Sequence, residues 1–177
     1  MKPDIRLAAA SAADAEALSA AGIRLFAQAY GRFSRADDLA VHTEQYFGRD
    51  YIARELQAPD VSYTIAYDAD QIAGFVKIRR GTTPDAVPAA AAIEVQQLYV
   101  DAGQQGKGIG RMLMDHATAV ARDEVYAGIW LSVWQDADWA TGFYEAYGFR
   151  RVGTAEFWLG RSKFMDYLMW FALDEAG

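Results

Sequence analysis

Glycines and cationic side chains crowd into one short stretch near the middle of the chain. Because glycine has no Cβ, its backbone can approach a ligand closely. The apolar run 93–100 before the stretch predicts a strand, and apolar residues at three- and four-residue spacing after it predict a helix. Amides in the first turn of a helix lack partners and the helix dipole makes that end partly positive, so the stretch predicts a phosphate or pyrophosphate site. Its glycines and cations are Gly103, Gly106, Lys107, Gly108, Gly110 and Arg111.

Two other phosphate-binding loops can be compared with this stretch. A Walker loop requires GxxxxGK[ST], but here Lys107 is followed by Gly108 rather than by Ser or Thr. A dinucleotide fingerprint requires GxGxxG at the opening of a βαβ unit, whereas these glycines read GxGxG and lie past the middle of the chain. From the residues alone, a tight strand-to-helix connection that binds nothing stays open as an alternative.

The spacing that does fit is (Arg/Gln)-x-x-Gly-x-(Gly/Ala), which Gln105, Gly108 and Gly110 match. With this motif the chain resembles the GNAT superfamily of acetyl-CoA-dependent N-acetyltransferases. The resemblance implies acetyl-CoA as co-substrate, with its pyrophosphate held by the loop and its pantetheine arm paired with the preceding strand like an added strand. The residues that it assigns to CoA are Leu98, Tyr99, Val100, Gln105, Gly106, Lys107, Gly108, Ile109, Gly110 and Arg111.

A second motif follows in the segment 137–149. It resembles the Asn-x-x-Ala-x-x-Phe-Tyr-x-x-x-Gly-Phe element of the same superfamily. The Asn position, which commonly contacts CoA, is Ala137 here, and Asp136 or Asp138 is expected to cap the helix instead. The resemblance makes Tyr144 a CoA-contacting residue and a general acid, although a buried core tyrosine also fits the pattern. The matching residues are Ala140, Phe143, Tyr144, Gly148 and Phe149.

The chemistry of acetyl transfer to an amine requires three groups. A protonated amine must first lose a proton, and Glu94 is the candidate base, although a solvated or ion-paired glutamate at a sheet edge also fits this residue. The backbone N–H of Leu98 is the candidate donor to the oxyanion. Tyr144 is the candidate donor of a proton to the departing thiolate. Since the chain has no cysteine, we expect direct transfer in a ternary complex.

The identity of the acceptor substrate is the property that the sequence indicates least clearly. The segment 94–100 resembles the Glu-x-x-x-Leu-Tyr-Val strand of many superfamily members, and the segments 148–153, 157–160 and 166–169 resemble the PaiA-type polyamine acetyltransferases. A small primary amine, polyamine-like, is therefore favoured, and the resemblance allows a homodimer. A protein N-terminus or lysine, a CoA-binding sensor domain without turnover, and an interaction protein stay open as alternatives. The candidate acceptor residues are Tyr30, Phe33, Asp37, Asp38, Tyr46, Phe47 and Glu94.

Composition excludes several classes of function. The 177 residues are 53% hydrophobic, so we expect one folded GNAT domain spanning 1–177. No apolar run is long enough for a membrane span, and the first residues lack a secretory segment. The net charge of −7 argues against nucleic acid as a partner. The absence of cysteine and the two histidines leave no metal site and are compatible with a cytoplasmic location.

The predicted elements alternate in the order β-αα-β-β-β-α-β-α-β-β. We therefore predict an α/β (α+β) protein with a mixed, mostly antiparallel sheet and helices on both faces. The GNAT resemblance adds that the strands at 93–100 and 128–133 splay apart. Gly22 is expected to weaken the first helix. We expect His42 to lie at the surface and His116, on the apolar side of its helix, to be packed. The predicted strands are 5–8, 61–67, 72–78, 93–100, 127–133, 149–159 and 163–173, and the predicted helices are 14–30, 37–57 with a break near Gly48, 108–122 and about 138–147.

Overall fold

The computed structural model describes residues 4–173, so both ends of the predicted 1–177 domain lie outside the described part of the chain. These residues form one sheet of seven strands together with five α-helices. The strands are β1 (Ile5–Ala9), β2 (Val61–Asp68), β3 (Gln71–Arg79), β4 (Ala92–Val100), β5 (Gly128–Trp134), β6 (Arg150–Leu159) and β7 (Ser162–Ala172). The helices are α1 (Ala15–Tyr30), α2 (Ala36–Phe47), α3 (Arg49–Glu55), α4 (Ile109–Asp123) and α5 (Asp138–Tyr147).

The sheet has the strand order β1-β2-β3-β4-β5-β7-β6. All neighbouring pairs are antiparallel except β4 and β5, which are parallel. Only 92–94 of β4 pair with 128–130 of β5. Beyond those pairs β4 stays bonded to β3 and β5 stays bonded to β7, so the two central strands diverge and leave a cleft between them. The predicted mixed sheet with splayed central strands is therefore confirmed.

The two faces of the sheet carry different helices. α4 and α5 cover one face, where Leu113 and Tyr144 pack against Ile93 and Val95. α1, α2 and α3 cover the other face, where Phe26, Phe47 and Ile52 lie in a second core. A smaller third cluster joins the connection between β3 and β4 to the base of the cleft through Val87, Trp130 and Trp170. Helices on both faces were predicted, and the structure confirms them.

The predicted bounds differ from the observed ones by no more than two residues at each element end. The long second helical region divides into α2 and α3 at Gly48, as predicted. The weakening expected at Gly22 produces no break, because α1 is continuous and Gly22 provides room for the ring of Phe47. No helix within the described residues is long and apolar enough to cross a bilayer.

Two local predictions were wrong. His42 is only 7% exposed, because it packs between the rings of Phe26 and Tyr46, each with a centroid distance of 4.7 Å. Neither Asp136 nor Asp138 caps α5, since the N-cap residue is Ala137 and no side chain caps this end. His116, by contrast, is half-buried and shares a 2.9 Å hydrogen bond with the Thr64 hydroxyl, which agrees with its predicted packing.

Candidate active site

The glycine-rich turn lies between β4 and α4, at the open end of the cleft. Gly106 and Gly108 have φ values of 79° and 85°, in the left-handed region that favours glycine. No atom lies within 4 Å of the position that a Cβ would take at either residue, so their backbone faces open space. The first i→i−4 bond of the helix is donated by Met112 to the Gly108 carbonyl at 3.0 Å. The amides of 109–111 therefore have no partner within α4 and can bind an anion.

Contacts with the first helix hold the beginning of this turn in place. The Asp101 carboxylate accepts the N–H of Gly103 at 2.9 Å and forms an ion pair with Arg24 of α1. The N–H of Ala102 donates to the Gln28 Oε1 at 3.0 Å. These contacts hold residues 101–103 and do not involve the amides that face open space, which stay available to a ligand.

The polar side chains of the turn lie at its rim. Lys107 donates from Nζ to the Gln104 side chain at 2.8 Å, and Gln105 donates from Nε2 to the Val100 carbonyl at 3.3 Å. Arg111 is exposed on the first turn of α4. The predicted CoA residues of the loop are therefore brought together, with amides facing open space and two cations beside them.

Glu94 is the last residue of β4 that pairs with β5, so it lies at the closed end of the cleft. Its neighbours Ile93 and Val95 belong to the core under α4, and strand alternation therefore directs Glu94 toward the face covered by α1–α3. The carboxylate is half-buried and has no hydrogen-bond or ion-pair partner within residues 4–173. It is thus available to a ligand or to water in the cleft.

Burial raises the pKa of Glu94 to about 7, and the positive charges of Arg79 and Lys77 only partly offset this effect. Both cations are already paired with other acids. The fully buried Lys77 lies 2.6 Å from Glu55, and Arg79 pairs with Glu55 and, at 3.1 Å, with Asp60. A carboxylate with a pKa near neutrality is suited to act as a general base.

Tyr144 lies on α5, on the other side of the sheet, with its ring 5.2 Å from Phe143 and 5.6 Å from Phe149. Burial raises the pKa of its hydroxyl, and Tyr30 raises it further. Among the described residues, the Tyr144 hydroxyl makes no side-chain hydrogen bond. It is a neutral phenol that can donate a proton.

A bulge in β4 determines which way the predicted CoA-binding strand residues point. The register with β3 passes from Val95 to Gln97 and skips one residue. Leu98 and Val100 therefore join Val95 on the α4 side, whereas Tyr99 packs in the core under α1. In this stretch the edge of β4 that faces β5 has no strand partner, which is the arrangement that the pantetheine prediction requires.

Ala137 is 2% exposed at the start of α5. Its carbonyl accepts the N–H groups of Ala140 and Thr141, both at 2.9 Å. Its methyl group carries no polar atom, so any contact with CoA at this position is limited to the backbone.

The predicted acceptor residues fall into two groups. Tyr30 and Phe33 belong to the first group and surround Trp134 at the end of β5, with centroid distances of 6.1 Å and 4.9 Å. Tyr46 belongs to the second, where it contacts His42 at 4.7 Å and Tyr51 at 5.9 Å. Both groups lie on the α1–α3 side of the sheet, the side that Glu94 faces.

The remaining acceptor candidates lie elsewhere. Phe47 is 1% exposed and belongs to the core beneath α1, so it cannot line a binding site. Asp38 is buried against the turn between β6 and β7, where it accepts from the Ser162 hydroxyl at 3.5 Å and lies 3.8 Å from Arg161. It holds this turn against α2. Asp37 is exposed on α2.

Sequence reasoning missed several polar residues on the α1–α3 face. Lys77 and Asp166 are charged residues with apolar or aromatic neighbours on both sides in their strands, and that pattern could have marked them as buried charges. Ser132 bonds to Asp166 from the neighbouring strand, a pairing that no local pattern indicates. Within residues 4–173, no group of three or more His, Asp or Glu side chains could hold a metal ion.

Comparison with known proteins adds an independent finding. A family model described as the Acetyltransferase (GNAT) family matches residues 25–149. An uncharacterized N-acetyltransferase of Lactobacillus delbrueckii subsp. lactis is 24% identical over 148 residues, which cover 84% of this chain and 86% of that protein. The N-alpha-acetyltransferase RimI of Mycobacterium tuberculosis is 37% identical over 101 residues, which cover 56% of this chain and 59% of RimI.

Among solved structures, the chain is similar to the PaiA N-acetyltransferase from Thermoplasma acidophilum in complex with coenzyme A. The TM-score is 0.79 at 16% sequence identity, and the match covers 96% of this chain and 99% of that one. At this identity the likeness concerns the fold.

Proposed function

The chain belongs to the GNAT family of acetyltransferases, and from that premise we propose that it acetylates a primary amine of a small, cationic molecule by direct attack while both substrates are bound. As a family member the protein is an acetyl-CoA-dependent N-acetyltransferase. The proposal adds the chemical class of the acceptor and the roles of the individual residues. The observation that carries it is the cleft between β4 and β5, with unpaired amides at its open end and Glu94 at its closed end.

The open end of the cleft fits the pyrophosphate of CoA. The amides of 109–111 have no partner within α4, and the space beside Gly106 and Gly108 is empty where a Cβ would lie. Lys107 and Arg111 add positive charge. The free edge of β4 at 98–100 supports pairing with the pantetheine arm, and the backbone at Ala137 lies at the start of the facing helix.

Glu94 accepts the proton that the acceptor ammonium must lose before its nitrogen can attack. Glu94 and Leu98 are four residues apart, which corresponds to roughly 10–13 Å along a strand with one bulge. The proton therefore passes through water rather than directly to the carboxylate.

The amine nitrogen then attacks the thioester carbonyl carbon, and the carbon–sulfur bond breaks. The N–H of Leu98 stabilises the negative charge that develops on the carbonyl oxygen. The Tyr144 hydroxyl gives its proton to the departing sulfur. The second proton of the amine nitrogen, lost as the amide forms, restores the phenol through water in the cleft. Tyr30, Phe33 and Tyr46 form the aromatic part of the acceptor site on the α1–α3 side.

Acetylation of a protein N-terminus is the second candidate, since RimI, named an N-alpha-acetyltransferase, is 37% identical over 101 residues. Modification of lysine and a CoA-binding sensor without turnover are further alternatives. The single-domain organisation, the homodimer and the cytoplasmic location stay predictions.

An acceptor screen that follows thiol release from acetyl-CoA tests the proposal. Diamines and polyamines should accelerate release by the wild-type protein more than amino acids, N-terminal peptides or lysine peptides do. A peptide preference would favour N-terminal acetylation. Tight CoA binding without accelerated release by any acceptor would favour the sensor.

A further inference from the structure

Asp166 is a buried carboxylate that the proposed mechanism does not use. It lies on β7, where it pairs in register with Trp134 of β5, and its residue is 6% exposed. The Ser132 hydroxyl donates to Oδ2 at 2.8 Å. The other oxygen, Oδ1, is buried and has no hydrogen-bond partner in the described part of the chain.

No cation of the described chain balances this carboxylate, since no Lys, Arg or His nitrogen within residues 4–173 forms an ion pair with it. Burial raises the pKa of Asp166, although the hydrogen bond from Ser132 acts in the opposite direction. Burying an acid without a partner is unfavourable, and an external cation would relieve that cost.

The surroundings of Asp166 suit an organic cation. Trp134, beside it on β5, lies 6.1 Å from the Tyr30 ring and 5.2 Å from the Phe164 ring. Burial raises the pKa of Tyr30, and the charge of Asp166 raises it further. An ammonium group is attracted both to a carboxylate and to the faces of aromatic rings.

Asp166 also lies on the same side of the sheet as Glu94, because Trp134 and Trp130 share one face of β5 and pair with Asp166 and Glu94. Burial raises the pKa of Tyr99, and the charge of Asp166 raises it further. Glu94 pairs with Trp130, which precedes Trp134 by four residues, or about 13 Å of strand. The two carboxylates are therefore at different depths of the same cleft.

We infer that Asp166, oriented by Ser132 and flanked by Tyr30 and Trp134, is the anionic anchor for an alkylammonium group of the acceptor. The inference rests on the proposed function and deepens it, because it makes a positive charge a requirement for acceptor binding. The aromatic side chains of Tyr30 and Trp134 would then contribute to acceptor binding rather than to the chemical step.

Calorimetric titration of the CoA-saturated full-length protein tests this inference without any need for turnover. The probes are 1,4-diaminobutane, n-butylamine and the neutral 1,4-butanediol. Asp166→Asn removes the charge and keeps the shape, and Glu156→Gln removes an exposed carboxylate from the adjacent strand as the matched control. We expect Asp166→Asn to weaken binding of at least one amine by about tenfold or more, with Glu156→Gln unchanged and the diol not bound.

Any of three results would overturn the anchor role. The first is equal amine affinity in Asp166→Asn and wild type, and the second is no amine binding by wild type. The third is loss of CoA affinity or a clear fall in melting temperature in Asp166→Asn, which would assign the residue to the fold. Asp166-dependent binding without thiol release would instead contradict the proposed transfer and leave the anchor intact.

Discussion

At the scale of single residues, the proposed mechanism depends most on Glu94, whose side chain has no partner among the described residues. Its position was predicted from a strand motif, but its environment was not. Burial by chain segments far apart in the sequence raises its pKa to about 7. Lys77 and Arg79, which oppose this shift, also come from another part of the sequence. A motif can therefore identify the residue without indicating its titration.

Glu94→Gln should lower kcat by about 10²–10⁴-fold, because a general base contributes an effect of that size. The base works when deprotonated, and burial raises its pKa to about 7, so wild-type kcat/KM should rise as the pH increases through about 7. The variant should lack this rise. A pH–rate profile measures it, with Glu156→Gln as control, and an identical rise in Glu94→Gln would exclude the base role.

Tyr144→Phe should reduce kcat by about 100-fold or more while leaving CoA affinity unchanged, because only the proton donor is lost. Tyr147→Phe is a matched control on the same helix, since that hydroxyl bonds Thr118 at 2.9 Å and Asp115 at 2.7 Å. Its loss should reduce stability and not rate. If Tyr144→Phe retains the wild-type rate at every pH, another group protonates the sulfur.

At the scale of helices and turns, glycines explain why several boundaries were predictable. Gly48 separates α2 from α3, and Gly148 ends α5 with a φ of 124°. The wrong prediction of a capping aspartate shows the limit of such reasoning. Asp136 and Asp138 are both suitable N-cap residues by type, but Ala137 occupies the N-cap position. The prediction that His42 lies at the surface was wrong for another reason. Its burial depends on contacts with a strand more than a hundred residues away, such as that with Phe157 at 5.5 Å.

Gly108→Glu should abolish CoA binding. The residue occupies left-handed backbone with a φ of 85°, which costs an L-residue about 1–2 kcal/mol, and the new carboxylate would repel the pyrophosphate. Gly142→Glu adds the same charge to an exposed glycine of α5 that has open space around it. Calorimetry should detect CoA binding only by the control, with circular dichroism to show that both variants are folded. Binding by Gly108→Glu would contradict the anion-site assignment.

Gly22→Ala should destabilise the fold even though alanine favours helices. A Cβ at this position would overlap the Phe47 ring, and such overpacking costs about 1–3 kcal/mol against a helix-propensity gain of about 1 kcal/mol. Gly142→Ala meets no neighbour and should be stabilising by up to about 1 kcal/mol. Urea unfolding of the pair would give shifts of opposite sign. A shift of the same sign in both would mean that α1 can move away from α2.

At the scale of the whole molecule, the order of elements and the sheet class followed from periodicity and from the family resemblance. The surroundings of the proposed acceptor site did not follow, because that site is assembled from α1, α2, β4, β5 and β7 at once. Asp166 and Trp134 become neighbours only through the β5–β7 register. No pattern within either strand gives that register, so the carboxylate and its aromatic surroundings emerge only from the folded chain.

Only three residue pairs join β4 to β5 in the described chain, and this affects how fast the backbone amides of the two strands exchange with solvent. Past Glu94 and Trp130, amide protons along the facing edges should exchange with deuterium rapidly, whereas those shared with β3 and β7 should be slow. Adding CoA should slow exchange along 98–100 if the pantetheine arm fills the missing place in the ladder. The substrate would then serve as a temporary strand, and the protein would complete its sheet once in every turnover.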